Sequence, residues 1–161
     1  NETEHYRTRF GLHLFGSEEF FPGADKYTLE PLRKDGSASV VCDDVKGVDW
    51  VRLKEIRYQW GGPKGETETR AADDLFALWD ARGRRVPDKA RIVHAKFLVK
   101  FTDAKIARTV IIRPANVAKY VRDDDAVFLE DFLRKRGFMV AEGTVTATEE
   151  YAEAEADLAS V

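Results

Sequence analysis

The chain has 161 residues, of which 43% are hydrophobic, including ten Phe, three Trp and five Tyr. This is enough apolar material for a packed core, so a wholly disordered chain is excluded. The net charge is −3, and a single cysteine, Cys42, excludes an internal disulfide and a cysteine-based zinc site. No apolar run approaches the roughly 18–20 residues of a membrane helix, so we expect no membrane segment. The lone thiol favours a reducing, cytoplasmic location.

The charge is distributed unevenly along the chain. Residues 141–161 contain six acidic residues and no Lys or Arg, whereas residues 1–140 contain 26 basic and 23 acidic residues, a net charge of +3. We predict one α+β domain over residues 1–140 and an acidic, Ala/Glu-rich tail over residues 141–161. The tail either improves solubility or competes with an anionic ligand for a basic surface.

The first part of the chain is predicted to form strands. Residues 9–15 alternate apolar and polar side chains, which indicates a strand. Residues 27–33 and 37–42 are predicted to form a hairpin, because the Asp-Gly of residues 34–36 tolerates the positive φ of a tight turn.

The next stretch, residues 51–60, is another predicted strand with an irregularity in it. Val51 and Leu53 share one phase of the alternation, and Ile56 begins the opposite phase. A shift by one residue with period two on each side predicts a β-bulge.

Two helices and two further strands follow. Apolar residues at helical spacing predict a helix over residues 72–83, capped by Thr67 or Thr69. Strands are predicted over 91–101 and 106–113, a helix over 124–136, and a short strand near 138–148. The order β-β-β-β-α-β-β-α predicts an α+β fold, with a mainly antiparallel, twisted sheet built from hairpins and two main helices on one face.

The polar side of the predicted strands is strongly cationic. Its basic residues are Arg52, Lys54 and Arg57 on the first strand, Lys96 and Lys100 on the second, and Arg108 and Arg113 on the third. If these strands are neighbours, the face could follow a phosphate backbone while Tyr58, Trp60 and Tyr120 stack on bases. The alternative is a solvated face whose lysines hinder edge-to-edge aggregation.

One motif in the same strands points to catalysis. The run VHAKFLVKF, followed by ARTVIIRPANVAKY, resembles the His-x-Lys motif of the phospholipase D superfamily. The resemblance implies metal-independent phosphodiester chemistry, with His94 as nucleophile, Lys96 binding phosphate and Asn116 orienting the phosphoryl oxygens. It also implies a homodimer, because these enzymes pair two motifs.

The chain departs from that motif at two places. Phe101 stands where the family usually has Asp, and Arg113-Pro114-Ala115 replaces the usual Gly-Ser before Asn116. The alternative is that His94 and Lys96 lie on the polar face of an ordinary strand, and that Asn116 caps a short helical turn over 117–120.

Other candidate sites have simpler explanations. Three consecutive acids, Asp123 to Asp125, are expected to sit at a helix N-terminus as dipole partners rather than as metal ligands. The Gly-rich stretch 61–65 lacks phosphate-loop spacing and is expected to be a turn. Cys42 is expected to be a buried core thiol. We therefore assign no metal and no cofactor.

The sequence favours a non-catalytic binding domain. Because the first residue is Asn rather than Met, we expect this domain to be part of a larger protein. Its ligand is predicted to be nucleic acid, bound by the basic sheet face, or a protein partner, bound through aromatics such as Phe20, Phe21 and Trp60. The alternative is a phospholipase D-like phosphodiesterase or nuclease acting as a homodimer. The sequence leaves the ligand and the oligomeric state open.

Overall fold

A computed structural model describes residues 25–140. The elements are helix α1 (Glu30–Lys34), a 3-10 helix (Gly36–Val40), strands β1 (Val48–Gln59) and β2 (Thr67–Ala71), helix α2 (Leu75–Ala81), strands β3 (Arg91–Phe101), β4 (Arg108–Arg113) and β5 (Val117–Lys119), and helix α3 (Ala126–Lys135). The strands form one sheet in the order β2-β1-β3-β4-β5, and each neighbouring pair is antiparallel. The predicted α+β class with an antiparallel sheet is confirmed.

The pairing of β1 with β3 contains the predicted bulge. Leu53 pairs with Phe97 and Glu55 pairs with Lys96, so Lys54 is an extra residue on β1. An extra residue reverses the alternation beyond it. As a result Leu53 and Ile56, both fully buried, lie on the same side of the sheet although three positions separate them.

The core lies on that side of the sheet. Inward residues of β1, β3 and β4 join one hydrophobic cluster with residues of both longer helices. The helix residues are Leu75, Phe76 and Trp79 of α2, and Leu129, Phe132 and Leu133 of α3. Phe97 of β3 packs edge-on against Phe138, which follows α3, with ring centroids 5.4 Å apart. The two helices therefore cover one face and leave the opposite face, called the outer face below, to the polar strand residues.

The predicted hairpin over residues 27–42 is wrong. Pro31 lies in the first turn of α1, where its fixed φ suits a helix and its missing N–H costs nothing. Leu29 and Leu32 are both buried, a spacing of three that serves a helix rather than a strand. Gly36 does adopt a positive φ of 57°, but it joins α1 to the 3-10 helix instead of closing a hairpin.

The first and last described segments meet beside this helix. Tyr27 forms an isolated antiparallel bridge with Met139. The amide of Thr28 donates to the Phe138 carbonyl at 2.9 Å, and the amide of Val140 donates to the Lys26 carbonyl at 3.0 Å. Two short backbone segments are thus hydrogen-bonded to each other, although the sequence analysis assigned them to separate strands.

Two short strands were not predicted. Thr67 and Thr69, expected to cap a helix, lie in β2, and the side chain of Asp74 instead accepts a hydrogen bond from the Ala77 amide to cap α2. Residues 117–120, expected as a helical turn, contain β5. Both strands are short and lie at the edges of the sheet. Their extended conformation therefore depends more on pairing with a longer neighbouring strand than on alternation of apolar and polar residues in their own sequence.

Several predictions lie outside the described residues. These are the strand over 9–15, the aromatics Phe20 and Phe21, the acidic tail and most of the strand near 138–148. They stay predictions.

Phe97→Ala should lower the free energy of unfolding by about 3–5 kcal/mol, because it removes a ring that is 2% exposed at the centre of the core. Urea denaturation followed by tryptophan fluorescence measures the change. Leu98→Ala is the matched control, since Leu98 is the next residue but points to the outer face, and its loss should be clearly smaller. Equal losses would contradict the assignment of the two faces.

Candidate functional site

The outer face is defined by the strand register, because directly opposite residues of antiparallel strands point to the same side. Its charged side chains are Arg52, Glu55 and Arg57 of β1, Arg91, His94, Lys96 and Lys100 of β3, Arg113 of β4, and Lys119 of β5. Glu55 is the only carboxylate at the paired outward positions of the described sheet. The outer face is therefore a basic surface with one acidic residue near its centre.

Five of the seven predicted basic residues lie together on this face, and two do not. Lys54 is the bulge residue, which has no partner in the register of β1 with β3, and its Nζ lies 2.7 Å from Asp73 Oδ1. Arg108 pairs in register with the buried Val99, so it points to the helix side. There its guanidinium binds Asp123 and lies 3.1 Å from the carboxylate of Asp125.

The cations of the outer face differ in their ionic partners. Arg52 Nε lies 3.9 Å from a carboxylate oxygen of Asp74, and Lys100 Nζ lies 3.6 Å from Asp49. The others have no carboxylate within 4 Å among residues 25–140; they are Arg57, Arg91, Lys96, Arg113 and Lys119. These cations thus form no ion pair within 4 Å in the described part, although Glu55 lies opposite Lys96 in register.

His94 lies at the centre of this group. The register shift between Arg57 and Tyr58 makes Val93 an extra residue on β3, which turns His94 to the outer face and leaves Ile92 in the core. The His94 side chain is only 8% exposed. Its Nδ1 accepts a hydrogen bond from Arg113 Nε at 3.4 Å.

The other ring nitrogen of His94 is less well satisfied. Nε2 lies 3.3 Å from Glu55 Oε1 but has no hydrogen bond of good geometry within the described part. Burial lowers the pKa of His94, and the nearby charges of Arg113, Arg57 and Lys96 lower it further, against the opposing effect of Glu55. The imidazole is therefore neutral at pH 7, with a lone pair directed at Arg113.

The residues of the phosphodiesterase prediction are only partly brought together. His94 and Lys96 share the outer face, at alternate positions of β3. Asn116 lies in the turn between β4 and β5, where its Oδ1 accepts a hydrogen bond from the Lys26 amide at 3.1 Å. Among the described residues Asn116 makes no hydrogen bond to His94 or Lys96.

The three aromatic residues predicted to stack on bases do not lie on the outer face. Tyr58 is fully buried on the helix side. Trp60 packs partly against the core and donates its Nε1 hydrogen to Glu68 at 3.2 Å. Tyr120 donates to Glu130 at 2.8 Å, and burial together with this hydrogen bond raises the pKa of its hydroxyl.

Trp50 is the aromatic residue of the outer face that the sequence analysis missed. It pairs in register with Lys100, and the guanidinium of Arg52 lies 4.4 Å from its ring centroid. Trp50 and Arg52 alternate with the buried Val51, so the same period-two pattern that identified the cations could have identified it.

A depression of about 450 Å³ opens where β2, β1 and β3 lie side by side. The residues that line it are Lys54, Glu55, Ala71, Ala72, Asp73 and Lys96. The two alanines lack long side chains and so leave room beside the bulge. A space of this size is in the range that holds small organic groups.

Residues 25–140 contain no cluster of three or more His, Cys, Asp or Glu side chains arranged to hold a metal ion. None of the helices in that part of the chain is both long and apolar enough to cross a membrane. Comparison with protein-family models, with curated proteins and with solved structures finds no significant match to this chain. The chemistry available to the outer face must be inferred from its own residues.

The His94 ring should titrate below the ordinary value of 6.5. Between the two pKa values the unfolded chain binds more protons than the folded one, so the free energy of unfolding should fall as the pH drops below about 6.5 and on through the folded pKa. An NMR titration measures the ring, assigned by its loss in His94→Gln. In that variant, the free energy of unfolding should lack the part of its pH dependence that comes from His94. A His94 pKa above 6.5 would contradict the described environment.

Proposed function

We propose that this domain binds nucleic acid through its outer face and acts as a binding module rather than as a catalyst. The observation that carries the proposal is that four cations without carboxylate partners, Arg57, Lys96, Arg113 and Lys119, lie on four strands of which each neighbours the next. A phosphate backbone supplies the anions that such a surface lacks.

The charge of the described part agrees with this proposal. Residues 25–140 carry 24 Lys and Arg against 19 Asp and Glu, a net charge of +5. Four phosphate contacts on a single strand predict a slope of about −2.8 for the logarithm of affinity against the logarithm of salt concentration. Binding through this face should therefore weaken steeply as salt is added.

The shape of the face favours single strands over a duplex groove. Five strands at ordinary spacing span about 19 Å. The major groove of B-DNA is about 12 Å wide and admits a two-stranded ribbon or one helix, not a sheet of this width. A single strand can instead lie across the strands and meet one cation after another.

The two alternative functions have less support. The large apolar side chains exposed in the described part are all aliphatic, Val41, Ile106, Val117, Val121 and Val127, whereas protein interfaces are enriched in aromatic anchors. A nucleophilic His94 would need access to the phosphorus atom, but its side chain is 8% exposed and lies between Arg113 and Glu55. Both alternatives remain hypotheses.

The double variant Arg57→Gln/Lys96→Gln should bind a fluorescent single strand at least about tenfold more weakly, because two charge-assisted contacts are lost. Its salt slope should be shallower by about 1.4. The matched control is Lys34→Gln/Arg134→Gln, which removes the same charge from helices α1 and α3. Anisotropy titrations at several salt concentrations measure both. Equal losses of affinity in the two double variants would mean that binding depends on total charge and not on this face. Unchanged affinity in Arg57→Gln/Lys96→Gln would contradict the proposal.

The same strands should remain intact after prolonged incubation with the protein in EDTA, as judged on a denaturing gel. Cleavage in EDTA that disappears in His94→Ala but persists in His5→Ala would contradict a pure binding role. It would favour the phosphodiesterase instead.

A further inference from the structure

The outer face contains one residue that phosphate binding does not explain. Glu55 pairs in register with Lys96 and stands two positions before Arg57, among the cations proposed to hold phosphates. A carboxylate there repels a phosphate chain at close range. Unless Glu55 has a ligand group of its own, its presence weakens the surface.

Glu55 is available for such a group. Its side chain is 27% exposed and lines the depression of about 450 Å³. An ionised carboxylate only accepts hydrogen bonds, and in the described part no donor forms one with Glu55, since the nearby His94 Nε2 lacks the geometry. The acceptors of Glu55 are thus free to meet a donor that enters the depression.

The donor must lie close to a phosphate, because Lys54, next to Glu55 in sequence, and Lys96, its partner in register, line the same depression. A DNA backbone carries acceptors and no donor, whereas each RNA nucleotide has a 2′-hydroxyl that donates. Base amino groups also donate, but bases need stacking platforms to be held on a sheet. Trp50 is the one aromatic residue found on the outer face among residues 25–140, and Arg52 already lies against its ring.

We propose that the depression binds the ribose of single-stranded RNA, with Glu55 accepting a hydrogen bond from a 2′-hydroxyl while Lys96 holds an adjacent phosphate. This rests on the proposed nucleic-acid function and adds a preference for RNA over DNA. Lys54 contributes the second cation once a phosphate competes with the exposed Asp73 for its ammonium group.

The test compares two labelled strands that differ only in the sugar, oligo-uridine and oligo-deoxyuridine of about 12 nucleotides, a length within the site sizes of such surfaces. Both strands carry uracil, whose N3–H donor is the same in each, so a base donor cannot produce the difference. Anisotropy titration of the full chain at one salt concentration should give RNA binding about tenfold tighter than DNA binding.

Glu55→Gln should reduce the ratio of RNA to DNA affinity to near one, chiefly by strengthening DNA binding, since it removes the repulsive charge and weakens the acceptor. Glu66→Gln is the matched control, because Glu66 is exposed in the loop before β2 and has no ion pair within the described residues. It should leave the ratio unchanged. Circular dichroism confirms that both variants fold.

The outcomes separate the two proposals. If neither strand binds, nucleic-acid binding and the ribose preference both fail. If both bind equally, the ribose preference alone is overturned. A ratio that survives in Glu55→Gln overturns the role of Glu55, and a preference for oligo-cytidine over oligo-uridine that is independent of the sugar shows that the carboxylate accepts from a base.

Discussion

The antiparallel pairing of β1 with β3 determines which side chains of this domain can act together. β1 contains two extra residues, Asp49 and Lys54, and β3 contains one, Val93; each of them reverses the alternation beyond it. Without Lys54, Glu55 and Arg57 would point into the core; without Val93, His94 would. The basic face and the hydrophobic core are therefore two consequences of one register.

Burial on the helix side makes that register obligatory. A slip by one residue would move Leu53 and Phe97, both almost completely buried, into solvent and would drive cations into the core. The hydrophobic effect thus fixes the position of charges that make no contact with the core themselves. The side chains of the outer face can therefore vary in chemistry, because the packing of the core on the opposite side of the sheet determines their positions.

The sequence predicted the parts of the fold whose own residues specify them. The long alternation of β3, the phase shift at Lys54 and the apolar stripe of α2 are local patterns, and all three are present. The failures have a different cause. Tyr27 and Leu29 alternate like a strand, but Pro31 and long-range packing make that segment helical, while β2 and β5 exist because longer neighbours pair with them.

The candidate site was predicted to the same extent and for the same reason. Alternation identified the cations on β1 and β3, because those strands are regular on each side of their bulges. Arg108 was misplaced because the sequence analysis put it on the face of Arg113, although it shares the phase of the buried Val110 and Ile112. Its partners Asp123 and Asp125 are distant in sequence. The significance of Glu55 emerges only when three strands are side by side, because a lone acid on one strand is unremarkable in a sequence.

The bridge between Tyr27 and Met139 gives the domain a particular mechanical character. The hydrogen bonds from Thr28 to Phe138 and from Val140 to Lys26 lie one behind the other at the two ends of the described part. A pull that separates these ends loads the bonds singly, as in a zipper, rather than together, as in a shear. Tension along the polypeptide would act first on these bonds and on the 2.7 Å hydrogen bond from the Tyr27 amide to the Ala115 carbonyl, which joins the same segment to the turn before β5.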